Sequence, residues 1–547
     1  MTIVNYKFRL TAFWAIAVCL LASCKQSAEV FENPYSGGKA ALAIKYSNSN
    51  TISPLEGAAN DTVMVDIPGA AEYRDKLHFQ FSGSEAEVLN ISGNTVTVVV
   101  PAAGSSGATS ITIGDQVFFG PQFKVLGKVI DDPYFKAQIG ANNGIYDAYK
   151  LKNGSYLMVG NFTDFNNKGA VTPVKRIIET TFEGDVQRRL QLGVGLSSGF
   201  LTSATSSVND ANIFIAGSMS SFDQKGPIRN ITKLTAAGAI DVVQVETFIS
   251  KNVPGKPKQT VPAFNGGTDG VITKIFYFND RVIAFGNFKN YLSFRYDQGR
   301  SFPNPNGVGT VYRDSTITDS VRVNQVASFK LDGKLDNSYH FSNGATLPGG
   351  NGSIADAWMQ PDGKIILVGA FSKFDNKAVG GIVRLNTDGT VDDTFKSGTG
   401  ALGYITSITW SEESQRFVIT GVFGSFNQLP YQNILLLKSD GSVDDSFVPG
   451  NFDNGFPYYA KQLSNGLIVV SGSFRKYNGV KRSGFMILNP LGKLAPGYNT
   501  LGEFSGTIYK VIEEKNKDNK RSILLVGQFQ KFDSQPVNNI KGLVLED

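Results

Sequence analysis

One pattern governs what this chain can fold into: an apolar run, then Gly-x-(Phe/Met)-x-x-aromatic, usually followed by Asn or Asp. It stands at Gly160-Phe162-Phe165, Gly217-Met219-Phe222, Gly286-Phe288-Tyr291, Gly369-Phe371-Phe374, Gly421-Phe423-Phe426, Gly472-Phe474-Tyr477 and Gly527-Phe529-Phe532, seven copies in all. The glycines are 57, 69, 83, 52, 51 and 55 residues apart. A glycine inside a strand lets a neighbouring backbone approach closely, and the paired aromatics fill the space between sheets. After each copy comes an apolar strand, a tight turn and a short strand ending in an aromatic. The clearest cases are Asp388-Gly389 with Asp392 and Phe395, Asp440-Gly441 with Asp444 and Phe447, and Asp332-Gly333 with Asp336 and Tyr339. Asp-Gly favours a hairpin because glycine accepts positive φ at little cost. A repeat of this period means either an open stack of units or a ring of sheets.

The ends of the repeat region decide between the two. The last copy stops at Gly542-Leu543-Val544-Leu545-Glu546-Asp547, one strand short. Leu126-Gly127-Lys128-Val129-Ile130-Asp131-Asp132-Pro133-Tyr134-Phe135 matches that missing strand, by comparison with Leu491-Gly492-Lys493-Leu494 and the Val-Asp-Asp-x-Phe pattern at 391 and 443. A split final sheet would seal a closed β-propeller of seven four-stranded blades over residues 126–547, leaving only short edges. An open stack would need capping repeats, and none is evident. The repeats also resemble the delta-60 repeat family over nearly all of 126–547. The copy at Gln360-Pro361-Asp362-Gly363-Lys364 is close to that family's consensus, and the third copy is the most degraded.

Up-and-down blades put turns 1–2 and 3–4 on one face, and turn 2–3 and the interblade link on the other. Two insertions widen the glycine spacing, at roughly 245–270 (a link) and roughly 292–325 (a 2–3 hairpin). Both are expected on the same face, side by side. The split blade begins and ends at its 3–4 turn, so the domain before it is expected on the opposite face, with the insertions pointing away from the membrane.

Residues 41–125 alternate apolar and polar side chains in short runs: Thr62–Ile67, Thr95–Val100 and Ser110–Ile113. That is the pattern of a β-sandwich. Ser53-Pro54-Leu55-Glu56-Gly57, Val100-Pro101-Ala102 and Phe119-Gly120-Pro121-Gln122-Phe123-Lys124-Val125 make it similar to the IPT/TIG family. The resemblance implies an immunoglobulin-like spacer or protein-contact module. The fold class expected is therefore all-β: an Ig-like sandwich followed by a propeller.

Residues 1–23 read as a targeting segment, with Lys7 and Arg9 before the uncharged run Leu10–Ala22, which is too short to span a bilayer. Leu21-Ala22-Ser23-Cys24 resembles a bacterial lipobox. The resemblance implies cleavage before Cys24, acylation of that cysteine, and attachment to the membrane through the lipid. Cys19 leaves with the signal, so no disulfide is expected, and losing Lys7 and Arg9 takes the net charge from +5 to +3. Residues 24–40, polar with Pro34 and Gly37-Gly38, read as a tether. Glu29 and Glu32 faintly resemble the export signals of surface lipoproteins in Bacteroides-type bacteria.

The charge balance has no basic stripe, which argues against nucleic acid. Catalysis finds little material. The only histidines, His78 and His340, fall in different domains, no metal-ligand spacing occurs, and no cofactor is expected. The pairs Asp131-Asp132, Asp392-Asp393 and Asp444-Asp445 recur at one repeat position, as turn-forming aspartates do. A ligand surface is instead expected in the insertions, where Phe264, Phe294, Arg295, Tyr296, Arg300, Phe302, Tyr312 and Arg313 offer aromatic faces with cationic neighbours, suited to sugars. The same rings could equally pin the loops to the blade, as Tyr291 does by filling the repeat's aromatic position.

These readings describe a surface-exposed outer-membrane lipoprotein, not an enzyme, that binds a glycan or a partner protein. An assembly component of an outer-membrane complex, or a propeller hydrolase or lyase, are the alternatives. Cys24→Ser should abolish incorporation of labelled palmitate and move the protein from the membrane pellet to the soluble fraction.

Overall fold

The computed structural model describes residues 42–169 and 175–547, so the signal, Cys24 and the tether lie outside the described residues. Residues Tyr46–Asp547 form one compact unit. Its first part is a two-sheet sandwich. One sheet orders Ile52–Ser53, Thr62–Asp66, Thr95–Val99 and Val88–Ser92; the other orders Glu56–Gly57, Gln116–Val125, Gly107–Ile113, Leu77–Phe81 and Ser84–Ala86. Val63, Val65, Phe79 and Phe81 point into the core on alternate positions. Phe81 packs edge-on against Phe79 and Phe123, with ring centroids 5.2 and 4.8 Å away.

Seven antiparallel sheets follow among the described residues. Their inner strands are Ile145–Lys150, Phe200–Ser206, Ile272–Phe278, Ser353–Met359, Ala401–Ser411, Pro457–Gln462 and Ser505–Lys515. Each packs beside the next, and the seventh returns to the first. The ring is sealed by Val129–Asp131, which pairs antiparallel with Ile540–Leu545 in the register Val129↔Leu545, Ile130↔Val544 and Asp131↔Leu543. The fold is an all-β propeller. Its fourth strands are slighter than the sequence led us to expect. Five blades keep only a single bridge there, such as Leu385↔Val391 and Leu437↔Val443. In three of them the aspartate that follows, Asp336, Asp392 or Asp444, ends the strand. Asp392 Oδ1 accepts the Thr394 amide (3.0 Å) and hydroxyl (2.6 Å), and Asp444 does the same for Ser446 (3.1 and 2.7 Å). The paired carboxylates are turn formers.

The repeat glycines have one shared cause. In every inner strand a bulge falls between two residues such as Ile145 and Asp147, and the residue before it pairs with, or lies beside, the motif glycine. A Cβ on Gly160, Gly217, Gly286, Gly369, Gly421, Gly472 or Gly527 would overlap a carbonyl oxygen of that inner strand or of the residue leading into it. None of the seven has positive φ, so close approach, not backbone freedom, demands glycine. The paired aromatics behind them are all buried. They join cores shared by neighbouring blades. The core across the seal unites Phe135, Ile145, Phe162 and Phe165 with Leu524, Val526 and Ile540. Burying each such ring is worth roughly 1.5–3 kcal/mol.

The Asn or Asp after the motif locks the incoming link. Asn166, Asp375, Asn427, Asn478 and Asp533 all have positive φ, which these residue types tolerate. Their side-chain oxygens accept link amides: Gly140 (2.9 Å), Gly349 (2.8 Å), Gly400 (2.9 Å), Asn451 (2.9 Å) and Gly502 (2.6 Å). The third blade has Leu292 at this position and lacks the lock.

One expectation about sidedness is corrected. The sandwich does not stay at the 3–4 turns. It folds back along the rim of the sixth and seventh blades, where Ser106 donates from its amide (2.8 Å) and hydroxyl (2.9 Å) to Thr500 O, and Arg482 donates to Ala103 O (3.3 Å). Arg482 lies in a 2–3 connection and Thr500 in a link. The cause is a linker with no slack: Leu126 N donates to Gly57 O (2.9 Å) and Lys128 N to Gly497 O (2.8 Å). The sandwich therefore does not separate the two faces of the disc.

Gly421→Ala should lower the unfolding free energy by about 1–3 kcal/mol in chemical denaturation, since the inner strand must give way. Gly424→Ala, in the same strand with open space around it, should stay within about 0.5 kcal/mol of the parent.

Candidate functional site

Each bulge turns two successive side chains toward the propeller axis. Inner strands begin on the face where links arrive, so these residues ring the channel just inside that face. The first of each pair gives Tyr146, Thr202, Thr273, Ala355, Thr406, Tyr458 and Tyr509. The second gives Asp147, Ser203, Lys274, Asp356, Ser407, Tyr459 and Lys510. Apart from Tyr459, which joins a blade core, none belongs to the hydrophobic cores, and their identities break the repeat. Around them lies a cavity of about 510 Å³ that also reaches Trp358, Thr409 and Lys461. That volume is within the usual range for small-ligand sites.

Charge organises the second ring. Asp147 Oδ1 accepts Lys510 Nζ (2.6 Å) and the Ala148 amide (2.9 Å), and its Oδ2 lies 3.6 Å from Lys274 Nζ. Burial pushes the Asp147 carboxyl up, but Lys274 and Lys510 outweigh it and hold the carboxyl down at about 2. Burial acts against the charge on Lys274, yet Asp147 and Asp356 together raise its pKa. Asp356 goes the other way. Burial dominates over the Lys274 charge and raises its carboxyl. Its oxygens accept the amides of Ile408 (3.1 Å) and Ala357 (2.8 Å). Other ring members stitch neighbouring blades: Ser203 Oγ accepts Ile275 N (3.2 Å) and Tyr459 OH accepts Val511 N (3.0 Å). From the first ring, Thr202 and Thr406 donate to Ile272 O (2.6 Å) and Tyr458 O (2.8 Å). At the mouth, Tyr146 meets Tyr509 edge-on at 5.4 Å.

The insertions fold as expected in place but not as an open aromatic surface. Val242–Val245 and Gln259–Pro262 form a hairpin carrying the short helix Phe248–Asn252, and Asn290–Pro303 pairs with Thr310–Arg322 in a long ribbon. The two touch: Ile249 N donates to Asp314 Oδ1 (2.7 Å), and the Phe248 and Tyr312 rings lie 5.6 Å apart. Phe264, Phe294 and Tyr296 are only 4%, 8% and 7% exposed. Phe264 belongs to the blade core with Phe329, and Phe294 and Tyr296 pack on Val261. These rings pin the loops. Arg295 pairs with Asp319 (2.9 Å), and Arg313 stacks over Phe302 (5.1 Å). Of the expected set, Arg295, Arg300, Phe302 (38%) and Arg313 are exposed on the ribbon. The expected set is thus divided between scaffold and arm, and the channel rings were not among it.

The histidines have local duties. His78 lies on the sandwich surface with Nδ1 2.9 Å from Glu85, while His340 is buried with Nε2 3.2 Å from Asp375. A larger cavity, about 1030 Å³, lies where the sandwich folds back on the rim; its lining mixes Lys124, Lys481 and Arg482 with Asp131, Glu503 and Asp533, beside the apolar Leu55, Phe123, Phe485 and Leu501.

Asp147→Asn would leave Lys274 and Lys510 without their shared anion, and should cost about 3 kcal/mol of stability in denaturant titration at pH 7. Because the folded pKa is lowered, the contribution is complete above pH ~4 and is lost as pH falls toward about 2. The parent should lose stability through that window, and the variant should lose less.

The family model "Domain of unknown function (DUF5122) beta-propeller" matches residues 360–395, the repeat that begins at Gln360. The model "Domain of unknown function (DUF5008)" matches residues 20–121. No curated protein matches the chain. Among solved structures, a structural genomics protein of unknown function from Bacteroides thetaiotaomicron VPI-5482 is 10% identical with a TM-score of 0.25, covering 92% of this chain and 99% of its own. An auxiliary nutrient binding protein from Bacteroides ovatus ATCC 8483 is 11% identical with a TM-score of 0.21, covering 71% and 97%. The Cps50 (Swd1) beta-propeller domain from Myceliophteria thermophila is 8% identical with a TM-score of 0.35, covering 78% and 100%. At these TM-scores the solved structures carry no weight for what the chain does.

Proposed function

We propose that this chain is a lipid-anchored binding protein of the bacterial cell envelope that takes a saccharide at the mouth of its propeller channel. One observation carries the ligand class: three tyrosines, Tyr146, Tyr458 and Tyr509, stand with Thr202, Thr273 and Thr406 around a cavity of about 510 Å³. Sugar rings offer apolar CH faces to aromatic rings and hydroxyls to polar rims, and this lining supplies both. The lipobox-like sequence at Cys24 supports attachment to the outer membrane, and the sandwich serves as an IPT/TIG-like spacer. The DUF5122 match supports the propeller scaffold but names no ligand.

Binding is favoured over hydrolysis by the state of the channel carboxylates. A glycosidase needs two carboxylates free to act on a bond and a water. Asp147 is held by two lysines and an amide, and Asp356 by two amides.

A second reading rests on the ribbon. Thr310–Arg322 pairs on one side only, leaving a long edge on the insertion face. Such an edge suits a partner protein of an envelope complex. Removing residues 293–320 would abolish co-purification from solubilised membranes in that case and leave saccharide binding intact.

On a glycan array the parent should be retained by at least one saccharide, and Tyr458→Ala with Tyr509→Ala should weaken that binding at least tenfold in calorimetry without shifting the melting temperature by more than a few degrees. No retention of the parent by any glycan would defeat the reading.

A further inference from the structure

The channel is not electrically balanced. Three lysines, Lys274, Lys461 and Lys510, line it with one aspartate, Asp356, while Asp147 stands behind Lys274 and Lys510. Lys274 and Lys510 share Asp147. Lys461 has no carboxylate within ion-pair distance among the described residues, and its ammonium donates to a neutral acceptor, the carbonyl of Trp410. Two carboxylates reach it by field alone, Glu412 and Glu513, and Glu513, the stronger, is already occupied: Arg521 Nε lies 3.0 Å away, and Ser464 donates from its amide (2.8 Å) and hydroxyl (2.6 Å). Burial lowers the Lys461 pKa, with Glu513 and Glu412 opposing and Lys510 adding to the effect. A half-buried ammonium with one neutral partner costs free energy that an anion would recover.

Lys461 stands two residues beyond Tyr459 on the sixth inner strand, so it lies deeper than the charged ring yet lines the same cavity. Trp358 and Thr409 are at the same level on neighbouring strands. An anion entering at the tyrosine mouth passes the charged ring before it reaches Lys461. Resting on the saccharide reading above, we infer that the ligand is an acidic sugar, a uronate, whose carboxylate is received by Lys461 while its rings lie against the tyrosines at the mouth. A neutral sugar would leave the ammonium as it is, and a bare carboxylate would leave the aromatic mouth unused.

Calorimetry with trimers of galacturonate, glucuronate and mannuronate, each beside its fully methyl-esterified form, tests this. The ester keeps the ring and removes the charge. At least one uronate trimer should bind ten-fold or more tighter than its ester, and acetate alone should not compete at equal concentration. Lys461→Met should weaken that acid form about tenfold, leave the ester unchanged, and not lower the melting temperature. Equal affinity for acid and ester in the parent, an unchanged ratio in Lys461→Met, or effective competition by acetate would overturn the inference while leaving saccharide binding in place. Binding of neutral glycans alone would do the same. No binding of any saccharide would remove the underlying reading, and this one with it.

Discussion

Three backbone pairings, Val129↔Leu545, Ile130↔Val544 and Asp131↔Leu543, decide whether the chain is a disc or a strip. Every other sheet is built from residues close in sequence. This one joins segments more than four hundred residues apart and so carries the largest loop-closure entropy in the fold. Its strand hydrogen bonds alone would not offset that cost. The core behind it does, because Phe135 arrives with the closing strand and packs on Ile540 and Leu524 from the last blade and on Ile145 and Phe162 from the first. The axial cavity exists only because that seal places the seventh inner strand beside the first.

Much of this was legible in the sequence because it is repeated. A glycine required by a close approach recurs wherever the approach recurs, and the aromatics at 162 and 165 reappear down to 529 and 532 for the same reason. The orphaned third strand at the end and the orphaned fourth strand at 129–131 are readable as a pair on the same logic. What the sequence hid is of two kinds. Where the fourth strands stop was set by side-chain capping from Asp392 and Asp444, a local competition that an apolar pattern does not report. The position of the sandwich was set by a three-residue linker and by contacts at Arg482 and Thr500, which have no counterpart elsewhere in the chain.

The candidate site was hidden for the opposite reason. Aromatics such as Phe294 and Tyr296 stand out because they sit in non-repeating sequence, yet the structure buries them where the two insertions meet. Asp147, Lys274 and Lys510 sit inside repeating strands and look like ordinary polar positions on an amphipathic strand. Superposing the seven copies on their bulges, two residues after Ile145, Leu201, Ile272, Ile354, Ile405, Pro457 and Ile508, would have lined up Asp, Ser, Lys, Asp, Ser, Tyr and Lys. A column that varied in a conserved frame was the available signal.

The glycine-backed bulge has a consequence for how such a molecule can diversify. It fixes where the inner strand kinks through backbone contact alone and makes no demand on the two side chains it turns inward. Seven blades thus present fourteen axial positions, most of which lie outside the interblade cores, with Tyr459 the member that joins one. A lineage could rewrite the unpaired members of that interior lining piecemeal, exchanging one ligand for another, at far less cost to stability than a change at Asp147 or Tyr459 would carry.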